Sequence, residues 1–162
     1  MKRLKIFSIV ASVFAFVACG PVDAPHQHTW ENDTCVECGA SLLVTYTWRI
    51  KSFCGNAVDA DLYIKFDAGG KFVMMQRSDS MGYIRYRGSY TVDQENSILS
   101  GQYNGGESWV CDYRFSFNEL HELVLESITE NPEVSIYEAS IMPEDAETTR
   151  VNSVGVECKK PL

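Results

Sequence analysis

The chain has 162 residues, 45% of them hydrophobic, with 14 Lys and Arg against 22 Asp and Glu and a formal net charge of −8. That length suits a single domain with a real core plus a short extension. The acidic balance excludes nucleic acid and anionic headgroups as natural partners.

Lys2, Arg3 and Lys5 open the chain, and an uncharged apolar run follows from Ile6 to Ala18, stopping at Cys19-Gly20. A positive start before so short an apolar run has the form of an export signal rather than of a bilayer-spanning helix. Phe16-Val17-Ala18-Cys19 resembles the lipobox of bacterial lipoproteins, with Phe16 where Leu is usual. The resemblance implies cleavage before Cys19 and acylation of Cys19. It also implies an extracytoplasmic protein anchored to a bacterial membrane, the outer membrane being the expected one. A plain secretory signal cut near Ala18 is the alternative. Removing residues 1–18 takes three positive charges and no negative ones, leaving 144 residues with 11 positive against 22 negative, or −11. Attachment then has to come from the lipid, and so charged a surface predicts a soluble monomer.

Residues 19–40 read as a tether without strand alternation. They carry His26-Gln-His28 and then Cys35-Val-Glu-Cys38-Gly39. Two thiolates two residues apart fit one tight turn, and a following Gly lets the backbone fold around a metal. His26 and His28 are near enough to complete a tetrahedron, so the segment resembles half a zinc ribbon. Such a zinc would be structural, because all four positions are filled by protein. The alternatives are a Cys35–Cys38 disulfide, permitted in an oxidising compartment, and a plain tether.

From residue 41 to 162 the pattern changes. Runs rich in Val, Ile, Tyr, Phe and Trp recur about every ten residues, separated by Gly, Asp and Asn turns. Strands are expected at Leu43–Phe53, Asp61–Asp67, Lys71–Arg77, Gly82–Val92, Ile98–Tyr103, Ser108–Phe117, Leu120–Ser127 and Val134–Ile141. The connections are too short for crossover helices, so neighbours must be antiparallel. Eight such strands, each with one apolar face, are best satisfied by an all-β up-and-down barrel. A short helix is expected after Met142-Pro143, and Val154, Val156 and Cys158 alternate as a final edge strand.

These residues resemble the lipocalin-like domains of secreted bacterial lipoproteins. The likeness rests on Thr47-Trp48-Arg49, on Tyr63-Ile64-Lys65-Phe66-Asp67 with Gly69-Gly70, and on Gly88-Ser-Tyr90. Leu99-Ser-Gly101, Tyr103, Gly105-Gly106 and Trp109 extend it, and Ile136-Tyr137 with Ile141-Met142-Pro143-Glu144 completes it. Tyr46 stands where the better-known lipocalins have Gly, which places the chain in the looser lipocalin-like group. The resemblance implies an eight-stranded barrel able to hold a small apolar molecule.

The inward positions are large and aromatic. An eight-stranded barrel can either be filled by such side chains or hold one small ligand. Filling is the simpler reading of any single residue. Together, Trp48, Tyr86, Trp109 and Tyr113 are the expected wall of a site for an apolar or amphipathic molecule, with Met74, Met75 and Met81 able to adapt to its shape. Cys54, Cys111 and Cys158 fall on apolar parities, so they are either buried thiols or contain one disulfide; a bridge is expected, with Cys54–Cys111 or a link from Cys158 to the barrel wall as the candidates. His121 sits in a turn between acids. Cys111 with His121 is the sole pairing that resembles a nucleophile and base, and its setting argues against catalysis. Asn32-Asp-Thr34 and Asp79-Ser80-Met81 match short glycosylation patterns that chance makes common.

The sequence therefore predicts a non-catalytic, lipid-anchored envelope protein that binds a small apolar or amphipathic ligand. The alternative is a filled barrel acting as an accessory subunit that contacts an envelope protein.

Overall fold

A computed structural model describes residues 27–144. The signal segment, Cys19, His26, Cys158, the expected edge strand and most of the expected C-terminal helix lie outside these residues.

The first element is a small hairpin, β1 (Trp30–Glu31) and β2 (Thr34–Cys35), where the sequence predicted no strand. Asn32 and Asp33 take left-handed φ values of 48° and 59°, a conformation these two residues tolerate better than most and one that suits a two-residue hairpin loop. A single helical turn follows, α1 (Leu42–Thr45). Ser41 caps it, its Oγ accepting from the Leu43 amide at 3.3 Å. The strand expected from Leu43 therefore starts later, as β3 (Thr47–Phe53). Leu42 and Leu43 are both buried, and an unbroken apolar run reads equally well as either structure.

The remaining strands are β4 (Asn56–Ala57), β5 (Leu62–Phe66), β6 (Lys71–Ser78), β7 (Gly82–Asp93), β8 (Ile98–Tyr103), β9 (Tyr113–Phe117), β10 (Leu123–Ser127) and β11 (Val134–Ser140). They form one antiparallel sheet in the order β11-β10-β9-β8-β7-β6-β5-β3-β4. β11 also pairs with β3, from Ser140 opposite Thr47 to Ser135 opposite Phe53, so the sheet nearly closes on itself. The all-β antiparallel architecture expected from the alternation is thus present.

Two strand starts move inward. β9 begins at Tyr113 rather than Ser108, because residues 110–112 bulge out of register between the Gln102–Ser108 bridge and the Leu99–Tyr113 pair. β10 begins at Leu123 rather than Leu120. There the Asn118 side chain accepts from the amides of Leu120 and Glu122, each at 3.0 Å, and holds a turn in which His121 has φ 57°.

The sheet's interior is lined by Trp48, Ile64, Phe66, Phe72, Met74, Tyr90, Leu99, Tyr103, Trp109, Leu123, Leu125 and Tyr137, with Leu42 and Leu43 packed among them. A second cluster lies on the opposite face, where Tyr63, Met75 and Tyr83 are buried and Met142 packs against them. Met75 was expected to face a ligand. Its parity, opposite Tyr63 and Arg85, puts it on the outer wall instead. Met81 is exposed in a turn, which leaves Met74 as the one interior methionine of the three.

The sheet has two unlike ends. Where β3 begins, Ser41 to Tyr46 and the β1–β2 hairpin close over Trp48, whose indole nitrogen donates to the Leu43 carbonyl at 2.9 Å. Where β3 finishes, exposed Phe53, Met81, Val110 and Ile128 gather, while exposed Leu120 and Ile141 flank the end where β3 begins.

Candidate functional site

Two groups of side chains carry chemistry. The first is at the hairpin. The His28 Nδ1, Cys35 Sγ and Cys38 Sγ atoms, or their alternatives on the ring, all lie within 4.8 Å of one another. Cys38 Sγ is 3.7 Å from His28 Nδ1. Two donors on one tetrahedral zinc, at about 2.3 Å for sulfur and 2.0–2.1 Å for nitrogen, would be separated by roughly 3.5–3.8 Å.

The backbone prepares this grouping. The Gly39 amide donates to the Cys35 carbonyl at 2.8 Å, closing a turn that brings the two thiols together, and Gly39 has φ 71°. The Cys35 side of the turn is 1% exposed. The His28 ring stacks on Trp30 with centroids 4.9 Å apart, which fixes its plane. Cys35 and Cys38 are not disulfide-bonded to each other. Of the four ligands expected from the sequence, the structure brings three together, and the fourth, His26, lies outside the described residues.

The second group is in the sheet interior. Trp109 is 5% exposed, and its Nε1 has no hydrogen-bond partner. Its ring lies flat on Gly101, where an added Cβ would come within 2.1 Å of the indole. Phe72 meets it edge-on at 5.2 Å, and Tyr113 at 6.0 Å. Tyr103 packs edge-on against Phe72 at 5.7 Å and against Tyr86 at 6.1 Å. Burial pushes the Tyr113 hydroxyl well above its ordinary value, and the neighbouring Cys111 thiol adds to the shift. The same cause raises Tyr137 and Tyr90. The Tyr90 hydroxyl is satisfied, donating to the Asp67 carbonyl at 2.7 Å.

Three of the four expected wall residues, Tyr86, Trp109 and Tyr113, therefore belong to one aromatic network through Phe72 and Tyr103. Trp48 belongs to another. It contacts Tyr46 at 5.9 Å and Phe117 at 5.7 Å, and its nitrogen is already bonded. Sequence reasoning passed over Tyr103 and Tyr137 as site residues, although the strand parity of each points inward.

Cys54 and Cys111, one candidate disulfide pair, are not joined to each other, and Cys158 lies outside the described residues. Cys54 does not continue the inward parity of Trp48 and Ile50. β3 stops at Phe53, and Cys54 turns away with φ 47° into an exposed two-residue loop with Gly55. Cys111 sits half-buried in the bulge before β9. His121 is exposed in its turn at the other end of the sheet.

Among the described residues, no helix is long and apolar enough to cross a membrane. No family model matches the chain, and neither the curated proteins nor the solved structures give a significant match.

Proposed function

We propose that the protein is a lipid-anchored envelope protein whose sheet closes as an eight-stranded lipocalin-like barrel and binds a small, uncharged amphipathic molecule inside, without catalysis. The observation that carries this reading is the buried Trp109 indole N–H without a partner. A buried polar group left unpaired costs free energy, and a ligand carrying an acceptor removes that cost. Its ring neighbours are Phe72 and the uncharged phenol of Tyr113, so the surroundings suit an ether, ester or ketone oxygen on an apolar frame better than an ion. Attachment is through Cys19.

The hairpin group is assigned to a structural zinc, with His26 as fourth donor beside His28, Cys35 and Cys38. Thiolate and imidazole donors suit zinc better than magnesium or calcium, which take oxygen.

The deciding experiment is native mass spectrometry of the chain taken from its own envelope without denaturation. An added organic mass that is lost on unfolding is the expected result. A bare chain, together with an unchanged interior on adding apolar probes, would sink the ligand reading. It would favour the second reading, an accessory subunit docking on another envelope protein. Exposed Val110, at 80%, with Phe53, Met81 and Ile128 at the same end of the sheet, supports that alternative.

A further inference from the structure

The hairpin that holds His28, Cys35 and Cys38 is too small to fold alone. Its two strands have two residues each, and such a ribbon is marginal in water at best. Yet it is tied to the closed end of the sheet by a continuous set of bonds. The Leu42 amide donates to the Asp33 carbonyl at 2.8 Å, and the Cys35 amide to the Ala40 carbonyl at 2.9 Å. Thr34 bridges Ser41, the residue that caps α1. Leu42 and Leu43 of that turn are buried in the core, and the Leu43 carbonyl holds Trp48. A run of rings makes the same connection. His28 stacks on Trp30, Trp30 meets Tyr46 at 6.1 Å, and Tyr46 meets Trp48 at 5.9 Å.

We propose that a thiophilic divalent metal, zinc by its donor set, bound by His28, Cys35 and Cys38 is the clasp that holds the Ser41–Tyr46 plug on the end of the sheet. The proposal rests on the metal reading given above and adds its purpose. Bonding His28 to Cys35 and Cys38 closes the loop from residue 28 to residue 38, so metal-binding free energy becomes folding free energy for the hairpin. Through Asp33, Ala40 and Ser41 the ordered hairpin then fixes α1. The rest of the sheet, whose strands pair without the hairpin, keeps its own stability.

The test uses the full mature chain with its thiols reduced, loaded with zinc or with cobalt, and compared with the chelator-treated form by hydrogen exchange. Cobalt is expected to bind at about one equivalent and to give a thiolate charge-transfer band. Chelation is expected to strip protection from the amides of Cys35, Leu42 and Val44 by tenfold or more, while those of β6 and β7 stay unchanged. Cys38→Ser should abolish the charge-transfer band and reproduce the chelated pattern. His28→Ala, whose ring is at the hairpin's edge, should weaken cobalt binding and, at limiting metal, reproduce the chelated exchange pattern without touching a buried thiol. Absence of stoichiometric metal in the reduced chain, or a Cys35–Cys38 disulfide in the chain isolated from its own envelope without reductant, would overturn the metal reading and the clasp with it. Tight metal with unchanged protection from Leu42 to Tyr46 would leave the metal site standing and overturn the clasp alone.

Discussion

The indole of Trp48 reaches back five residues and donates to the main-chain carbonyl of Leu43 at 2.9 Å, in a site with no solvent exposure. One bond thereby joins the first long strand to the helical turn that stops the end of the sheet. Trp48→Phe keeps most of the ring but leaves that carbonyl buried and unpaired, at a cost of about 1–3 kcal/mol. Trp48→Ala adds a large void and should cost about 3–5 kcal/mol. Urea unfolding of both variants checks the order. Equal losses would mean that packing alone sets the value of Trp48.

Glycines of β7, of β8 and of the turn after it make a graded series. A Cβ on Gly88 would meet the Gln102 carbonyl oxygen at 2.0 Å, and main chain cannot step aside. On Gly101 it would strike the Trp109 ring at 2.1 Å, a side chain with some freedom to rotate. On Gly105 it would meet nothing within 4 Å. Gly88→Ala should therefore destabilise most, by about 2–3 kcal/mol or more, and Gly101→Ala by about 1–3 kcal/mol. Gly105→Ala should stay within about 0.5 kcal/mol of the parent. Thermal unfolding of the three variants orders them.

Outside the sheet, Lys51 pairs with Glu122, which also accepts from the Asn118 side-chain amide at 2.8 Å. The Lys51 contact, first, and the Asn118 contact, second, hold the Glu122 carboxyl below its ordinary value. A depressed carboxylate stabilises the fold at pH values above its unfolded pKa of about 4.3, and that contribution is lost as pH falls through the lower folded value. Glu122→Gln should thus flatten the acid limb of the stability curve. Denaturant midpoints measured from pH 3 to pH 7 would show it, and an unchanged limb in the variant would count against the pair.

The interior phenols predict the opposite limb. Tyr90, Tyr113 and Tyr137 are all raised by burial. In the unfolded chain they ionise near pH 10, whereas in the folded chain they keep their protons. Their contribution is complete below pH of about 10 and is lost as pH rises toward the folded values. Phenolate absorbance followed upward in pH should show part of the tyrosine signal rising together with loss of structure. Titration of every tyrosine before unfolding would contradict the burial.

Replacing Trp109 by Phe removes the unpaired N–H together with the pyrrole half of the indole. If a ligand oxygen answers that donor, affinity for the co-purifying molecule should fall about five- to tenfold, the worth of one modest hydrogen bond. Stability of the empty chain should fall by about 1–2 kcal/mol, the void left by the lost ring atoms outweighing relief of the orphan donor. A loss of stability with unchanged affinity would assign Trp109 to packing alone.

Alternation of apolar residues with Lys, Arg and Glu made most of the sheet legible in advance. Ile64 against Lys65, or Leu123 and Leu125 against Glu122 and Glu126, admit little other reading. Where alternation lapsed, so did the reading. Leu42-Leu43-Val44 has no period and proved to be a helical turn, and the bulge at residues 110–112 lies inside an apparently regular run. The outer cluster of Tyr63, Met75 and Tyr83 was hidden because Met142, packed against it, comes from more than fifty residues away in sequence. Spacing announced the Cys35–Cys38 pair and its histidine partner. The bonds from Asp33 and Ala40 that tie them to the sheet are main-chain bonds, which leave no residue signature.

The unlike ends of the sheet also set a compass direction. The described chain enters at Gln27, beside the hairpin, and Cys19 stands eight residues earlier. Eight residues span at most roughly 26–29 Å. With the lipid proposed on Cys19, the stoppered pole is the one that stays within that reach of the bilayer.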